Sequence, residues 1–348
     1  MRSGNFKESY AELIVLSDSA ATWAWTGALL LALVALPAFV GGYALTLVIG
    51  VMIAAIGAIG LTLLTGTTGL VSLGQSGFLA IGAYANAILI ADHGWPVWAA
   101  LPAAGLIAGL ASLLVGIPSL RLKRLYLAIT TLAFSFIVTY VILYAEGLTH
   151  GPNGIFLSKL RVLGLNLSRD RDLYWLVLGM TVLLTLAALN LLRSRVGRAW
   201  LAIRDHDIAA RVMGIDLTRW KLYAFFVSSF YVGIAGALLS LQIRFINVDV
   251  FDILLSIEAL AMIILGGLGS VPGAILGAAF LTLLPEAIRL VFAAVGGVGS
   301  SFYSEYVFQI RGIAYGVVIV AFLRFEPDGL MGLWRDIRRY WTNWPMAY

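Results

Sequence analysis

Residues 43–65 read YALTLVIGVMIAAIGAIGLTLLT, 23 positions without a charged side chain. A helix needs about 20 apolar residues to cross the roughly 30 Å of bilayer hydrocarbon, so this stretch reads as one membrane span. The rest of the chain repeats the pattern. Apolar runs between charged or Pro/Gly-rich breaks give ten candidate spans: 21–41, 43–65, 70–91, 96–117, 124–145, 173–192, 221–243, 253–267, 272–292 and 306–323. The region 253–292 also reads as one broken element, and the link at Gly41 and Gly42 is short, so counts of eight or nine stay open.

Composition agrees with a membrane protein. Hydrophobic residues make up 61% and charged residues 12% of the 348 positions, against about 45–50% and 25% in soluble domains. A water-soluble fold could not hide that much apolar surface. The expected fold is therefore all-α, a polytopic integral membrane protein with a transmembrane domain over 21–323, a polar loop at 193–221 and a tail at 324–348. Residues 1–20 contain Glu8, Glu12 and Asp18 and lack a continuous apolar core, so they are no signal peptide. Phe6, Tyr10, Leu13 and Ile14 share one helical face, which fits a short interfacial helix as well as a frayed tail.

The net charge of +5 follows membrane topology rather than nucleic acid. Lys and Arg accumulate in cytoplasmic loops. With ten spans and a cytoplasmic N-terminus, that side receives Arg2, Lys7, Arg121, Lys123, Arg124, the basic residues of 193–221, and Arg324, Arg335, Arg338 and Arg339. The C-terminus is then cytoplasmic too. Trp95, Trp98, Tyr174, Trp175, Trp220, Trp334, Trp341 and Trp344 fall near span ends, where amphipathic rings favour the interface.

Catalytic constellations are missing from the sequence. With no Cys, disulfides and thiolate metal sites are excluded. His93, His150 and His206 are scattered, without metal-ligand spacing. Residues 74–78 begin like a nucleophile elbow, but Phe78 stands where a second Gly is needed. Gly267, Leu268 and Gly269 begin like a dinucleotide loop that fails at Pro272. No phosphate-cradling G-x-x-x-x-G-K-[ST] occurs, so the chain is expected to be no enzyme and to bind no metal or cofactor itself.

Unusual backbone chemistry is what remains. Residues 68–84 read TGLVSLGQSGFLAIGAY and residues 265–277 read LGGLGSVPGAILG. Small residues let transmembrane helices approach closely, which accounts for isolated glycines such as Gly57, Gly60, Gly105, Gly109, Gly233 and Gly236. Glycine clusters mixed with polar residues and Pro272 read instead as interrupted helices, tolerated at membrane depth only inside protein or along a watery path. Candidate pathway residues are Ser72, Gly74, Gln75, Phe78, Gly82 and Tyr84 in the first segment, and Glu258, Gly266, Gly267 and Gly269 in the second. The two segments align as an inverted repeat: 70–73 fall on 254–257, and Gly82 falls on Gly266. Glu258 is the acid placed well inside a span. Either it lines the pathway or steadies a gate, or it ties helices as a protonated or hydrogen-bonded group.

In 193–221, Asp205 or Asp207 can cap a short helix running to Met213, with Gly214 as its stop. Acids at its start and Arg211 near its end suit the helix dipole. Ile208, Val212 and Met213 give it an apolar side, while Ala209 and Ala210 leave room for close approach. So short a helix cannot stand alone, and spans, lipid or a partner must hold it.

Here the residues reach a family resemblance. Residues 209–214, Ala-Ala-Arg-Val-Met-Gly, are similar to the cytoplasmic coupling loop of ABC importer permeases, E-A-A-x-x-x-G, although Ile208 replaces the Glu. A closer resemblance covers nearly the whole chain. It is carried by residues 72–75 through Gly82, Ala83 and Tyr84, by 151–154, by 204–210 with Met213, Gly214 and Ile215, and by Ser256, Ile257 and Glu258 leading into 265–270. On these motifs the chain resembles the M-like permease subunit of Liv-type branched-chain amino-acid ABC importers.

The resemblance implies a complex in a bacterial inner membrane. This chain would pair with a homologous second permease subunit, two ATPase subunits that use ATP and Mg, and an extracytoplasmic substrate-binding protein. Arg204, Asp205, Asp207, Ile208, Ala209, Ala210, Met213 and Gly214 would couple it to an ATPase. The family also includes urea, short-chain amide and aromatic-acid importers, so the substrate stays open. An ion-coupled secondary transporter and a channel are the rival readings.

Overall fold

A computed structural model describes residues 20–119, 124–157, 161–162, 165–166, 169–294, 301–326 and 328–343. The proposed interfacial helix at the N-terminus lies outside them. In chain order the helices are α1 (Ala20–Phe39), α2 (Gly42–Leu61), α3 (Gln75–Ala91), α4 (Val97–Ser119), α5 (Arg124–Tyr144), the single turn α6 (Glu146–Thr149), α7 (Asp170–Arg193), α8 (Arg195–Asp205), α9 (Asp207–Val212), α10 (Leu217–Ile243), α11 (Ile253–Gly266), α12 (Val271–Ala294), α13 (Ser301–Phe325) and α14 (Gly329–Asn343). Four two-residue strands, β1 (Ile155–Phe156), β2 (Arg161–Val162), β3 (Leu165–Asn166) and β4 (Phe245–Ile246), sit between helices.

Each of the ten apolar runs holds a helix. Among the described residues six stretches are long and apolar enough to cross a membrane: Gly42–Gly66, Val97–Pro118, Tyr126–Tyr144, Asp170–Arg193, Leu217–Ile243 and Val271–Val291. Shorter apolar helices occupy Ala24–Phe39, Gln75–Ala91, Ile253–Gly266 and Gly312–Phe322. The chain is thus an all-α polytopic membrane protein. Residues 253–292 form two helices, α11 and α12, separated at 267–270.

The run 70–91 is helical only from Gln75. Residues 69–74 are irregular, entered through Gly69 at φ +71°. The Leu73 N–H donates across to Thr131 Oγ1 (2.9 Å) instead of joining a helix. Such a side-chain partner is what lets irregular backbone stay buried in an apolar bundle.

α10 is the central helix. Of its best 18-residue window 83% is buried, against 72% for α2 and only 22% for α7 and α12, which marks the latter two as rim helices. α2 and α4 pack antiparallel to α10, and α3 packs parallel to it. Lipid is as apolar as Leu, so burial alone does not drive helices together in a bilayer; close van der Waals packing does. α10 accordingly presents Gly233, Ala235, Gly236 and Ala237, all buried, to its neighbours.

The two ends of the bundle differ. α10 starts beside α9 and, at about 1.5 Å per residue, ends some 40 Å away. At that far end β1 pairs antiparallel with β4, matching Ile155 to Ile246 and Phe156 to Phe245. Arg244, in the left-handed region at φ 65°, closes α10 there and pairs with Asp170 at 3.4 Å. His150 and Asp92 face each other at 3.2 Å in the same region. The near end carries the basic stretch 193–221, and the π-helical turn 62–66 that continues α2 and the break at 267–270 gather close to it.

Candidate functional site

The basic stretch folds as two helices in sequence. Ser194 caps α8, its Oγ accepting the Val196 N–H at 3.1 Å. Gly197, Ala199, Trp200 and Ile203 form the buried face of α8. Trp200 is fully buried, and its Nε1–H donates to the Trp220 carbonyl at 3.0 Å. At His206 the backbone turns extended (φ −152°, ψ 101°), which separates α8 from α9.

Two sequence expectations are corrected here. Asp205 is the last residue of α8 and begins nothing; His206 occupies the cap position of α9 and makes no side-chain cap bond, while Asp207 lies in the first turn. The helix ends at Val212, with Met213 as its closing residue. Gly214 does supply the stop: it sits at φ +86°, where an L side chain is strained.

α9 divides its side chains sharply. Ala210 is buried and packs with Ile203 and Leu217, so its smallness serves contact with its own chain. Ile208, Val212 and Met213 are 78%, 81% and 83% exposed. Asp216 then caps α10, its carboxylate accepting the Thr218 and Arg219 N–H groups at 3.1 and 3.3 Å.

Arg204 does not join that exposed surface. Its guanidinium is partly buried and donates to the carbonyl of Gly66. Gly66 ends a π-helical turn, Thr62–Gly66, that continues α2. Gly269 packs against the same point: a methyl group on Gly66 would stand 2.6 Å from the Gly269 nitrogen. Gly267 lies against the start of α14, where an added methyl would come within 2.8 Å of the Asp328 carbonyl. Gly266 meets Gly273 backbone to backbone across the α11–α12 hairpin.

The other break is stitched at its polar residues. Ser72 is buried and its Oγ accepts the Gly74 N–H at 3.3 Å, while Gly74 packs on Thr131 of α5. Gln75, also buried, donates through Nε2 to the Gly57 carbonyl of α2 at 3.0 Å. The Ser76 N–H donates to Ser256 Oγ at 2.9 Å, and the Ser256 hydroxyl donates to Ser76 Oγ at 3.0 Å. Gly74, the residue before α3, makes no side-chain cap bond. Ser256 of α11 therefore fills that role, satisfying a helix-start N–H from 180 residues away.

The candidate pathway residues divide accordingly. Ser72, Gly74 and Gln75 lie at the junction of α2, α3, α5 and α11. Phe78 follows on α3 and stacks on Phe134 with ring centroids 5.2 Å apart. Gly82 lies on the α3–α10 crossing against the Gly233 backbone, and Tyr84 faces Phe251 at 6.1 Å. Gly82 and Gly266, aligned in sequence, meet different partners. Glu258 is half-buried on α11, two residues past Ser256. Sequence reading passed over Gly66, Ser76, Thr131, Trp200 and Ser256 as site residues. Among the described residues no three His, Asp or Glu side chains gather to hold a metal ion.

Fold and site together define a polytopic helical membrane permease, with interrupted helices packed inside it and an exposed apolar turn at one end. Residues 43–323 match the family of branched-chain amino acid transport system permease components, and the chain belongs to that family. It is 35% identical over 332 residues to LivM, the high-affinity branched-chain amino acid transport system permease protein of Salmonella typhimurium, covering 88% of this chain and 74% of that one. LivM of Escherichia coli K12 gives the same identity and coverage. The probable LivH of Methanocaldococcus jannaschii is 27% identical over 296 residues, 81% of this chain and 90% of the relative. No solved structure matches.

Proposed function

We propose that this chain is the membrane subunit of an ABC importer for branched-chain or related small amino acids, in a bacterial inner membrane. α9 carries the reading. A six-residue helix that exposes Ile208 and Val212, followed by an exposed Met213, and that among the described residues buries Ala210 alone is built to be covered by another protein. A permease without a nucleotide-binding motif needs such a surface to receive work from separate ATPases. The basic residues around α9 support a cytoplasmic position for it, where those ATPases and their ATP and Mg would be.

The relatives include proteins named LivM and proteins named LivH, which favours a homologous but different second permease as partner. A binding protein on the opposite side would deliver the substrate. Two buried atoms on α3, Tyr84 Oη and Asn86 Oδ1, have no protein partner. A polar route beside α3 would satisfy them, since buried polar atoms are costly to leave unpaired. Much of the choice among branched-chain amino acids, urea, amides and aromatic acids would rest with the binding protein.

The test is co-purification of this chain from its native membranes with ABC ATPase subunits. Ile208→Asp and Met213→Asp should remove the ATPases while leaving the permease in the membrane. Undiminished co-purification would overturn the docking role. Gradient-driven uptake by the chain alone in vesicles would sink the importer reading in favour of a secondary transporter.

A further inference from the structure

We infer that Arg204 is a positioning residue for transport, linking the coupling segment to the end of α2 and to the α11–α12 break, rather than part of the surface that meets an ATPase. The inference deepens the importer reading and rests on it.

Three segments far apart in sequence converge on one point. Arg204 lies in the last turn of α8, two residues before the hinge at His206 and the exposed helix α9. Its Nη1–H donates to the Gly66 carbonyl, 138 residues away, at the end of α2. Helix ends leave carbonyls without intrahelical partners and carry partial negative charge, so a guanidinium belongs there. Gly269 of the α11–α12 break completes the contact. A methyl group on Gly269 would stand 2.8 Å from Arg204 Nη1 and 3.0 Å from the Gly66 carbonyl oxygen. The guanidinium thus covers the seam where the end of α2 touches the α11–α12 break, and only glycine at both positions allows that touch.

The exposed part of this region and the connected part are consequently different residues. Ile208, Val212 and Met213 face outward, and Arg204 faces the breaks. A displacement of α9 reaches α8 through the short hinge, and α8 is held to the bundle by Trp200. Tilting α8 about Trp200 moves Arg204, which bears at once on the end of α2 and on the α11–α12 break. Arginine suits this position because its planar fork presents several donors in fixed directions, which the point charge of lysine cannot reproduce.

The experiment uses the assembled complex in proteoliposomes, with leucine uptake, ATPase co-purification and stimulation of hydrolysis by the loaded binding protein as readouts. Arg204→Gln is expected to lower uptake by about tenfold or more, the scale of a coupling free energy, and to abolish the stimulation. Co-purification should stay within about twofold of wild type, because Arg204 lies off the docking surface. Arg204→Lys should recover only part of the uptake. Gly66→Ala opens the same seam, so its loss should not multiply with that of Arg204→Gln. Near-normal uptake in Arg204→Gln, multiplying losses, or uptake that falls only in step with co-purification would each overturn the inference. Failure of the wild-type chain to co-purify with any ATPase would take down the importer reading itself, and this inference with it.

Discussion

Gly82→Ala tests whether backbone contact sets the crossing of α3 on α10. A methyl group at Gly82 would stand 2.1 Å from the Gly233 carbonyl oxygen and 2.5 Å from the Gly233 Cα. Ordinary contact begins near 3.4 Å, so the helices would have to part by about 1.3 Å, and overpacking of that kind costs about 1–3 kcal/mol. Parting them also strains the bonds from Asn86 Nδ2 to the Ala237 carbonyl (3.2 Å) and Ser240 Oγ (2.8 Å). With each buried bond worth about 1 kcal/mol net and both weakened by about half, the expected loss is about 2–4 kcal/mol. Gly179 on α7 is the control, because a methyl group there meets nothing within 4 Å. Gly179→Ala should be neutral or stabilising by up to about 1 kcal/mol, the helix-propensity difference. Denaturant titration of the purified protein in mixed micelles, followed by far-UV circular dichroism, measures both. Equal stability of the two variants would refute the argument that glycine is needed for the crossing.

Ser256→Ala removes the acceptor of the Ser76 N–H and should destabilise the protein by about 1–3 kcal/mol, read by the same titration. Its effect should shrink in a Ser76→Pro background, where no N–H remains to be satisfied; an unchanged effect would show that the hydroxyl is not acting as a cap. Trp200→Ala removes a fully buried ring and its bond to Trp220, a loss of about 3–5 kcal/mol locally. Limited trypsin digestion at Arg195, Arg198 and Arg204 should then accelerate, and unchanged cleavage would mean that α8 is held by other contacts.

The long spans were legible because length and apolarity alone define them: residues 43–65 need no tertiary partner to be recognised as a helix. Gly214 was legible for a similar reason, since a glycine after a short amphipathic turn is a local signal. The interruption before α3 was legible as a glycine cluster with polar residues, but where α3 begins was not. Leu70, Val71 and Leu73 are apolar enough for a span, and hydropathy cannot report that the Leu73 N–H is taken by Thr131, 58 residues on. The basic composition of 193–221 concealed α8, although Ser194 followed by Val196, Ala199, Trp200 and Ile203 carries a cap and a helical stripe. Asp205 was misread because two acids stood close together and only His206 reveals which helix each belongs to. The repeat alignment is a sequence correspondence and carried no information on contacts, so the bond between Ser256 and Ser76 was not legible in it.

In a bilayer the solvent does not distinguish the inside of the bundle from its lipid face, so the polar backbone at the breaks does most to decide which elements must meet. Each break has to find partners inside the protein. The break before α3 finds Thr131 and Ser256; the break after α11 finds Gly66, Arg204 and the start of α14. The contacts of the second break join it, through Arg204, to the segment that presents α9. A single hydrogen bond among these contacts is worth about 1 kcal/mol net, and site-to-site coupling energies run to about 1–3 kcal/mol. Exchanging a few such bonds is therefore within reach of a partner that grips α9 differently in two states. An unbroken, uniformly apolar bundle would offer no comparable set of weak, exchangeable contacts through which that grip could be felt.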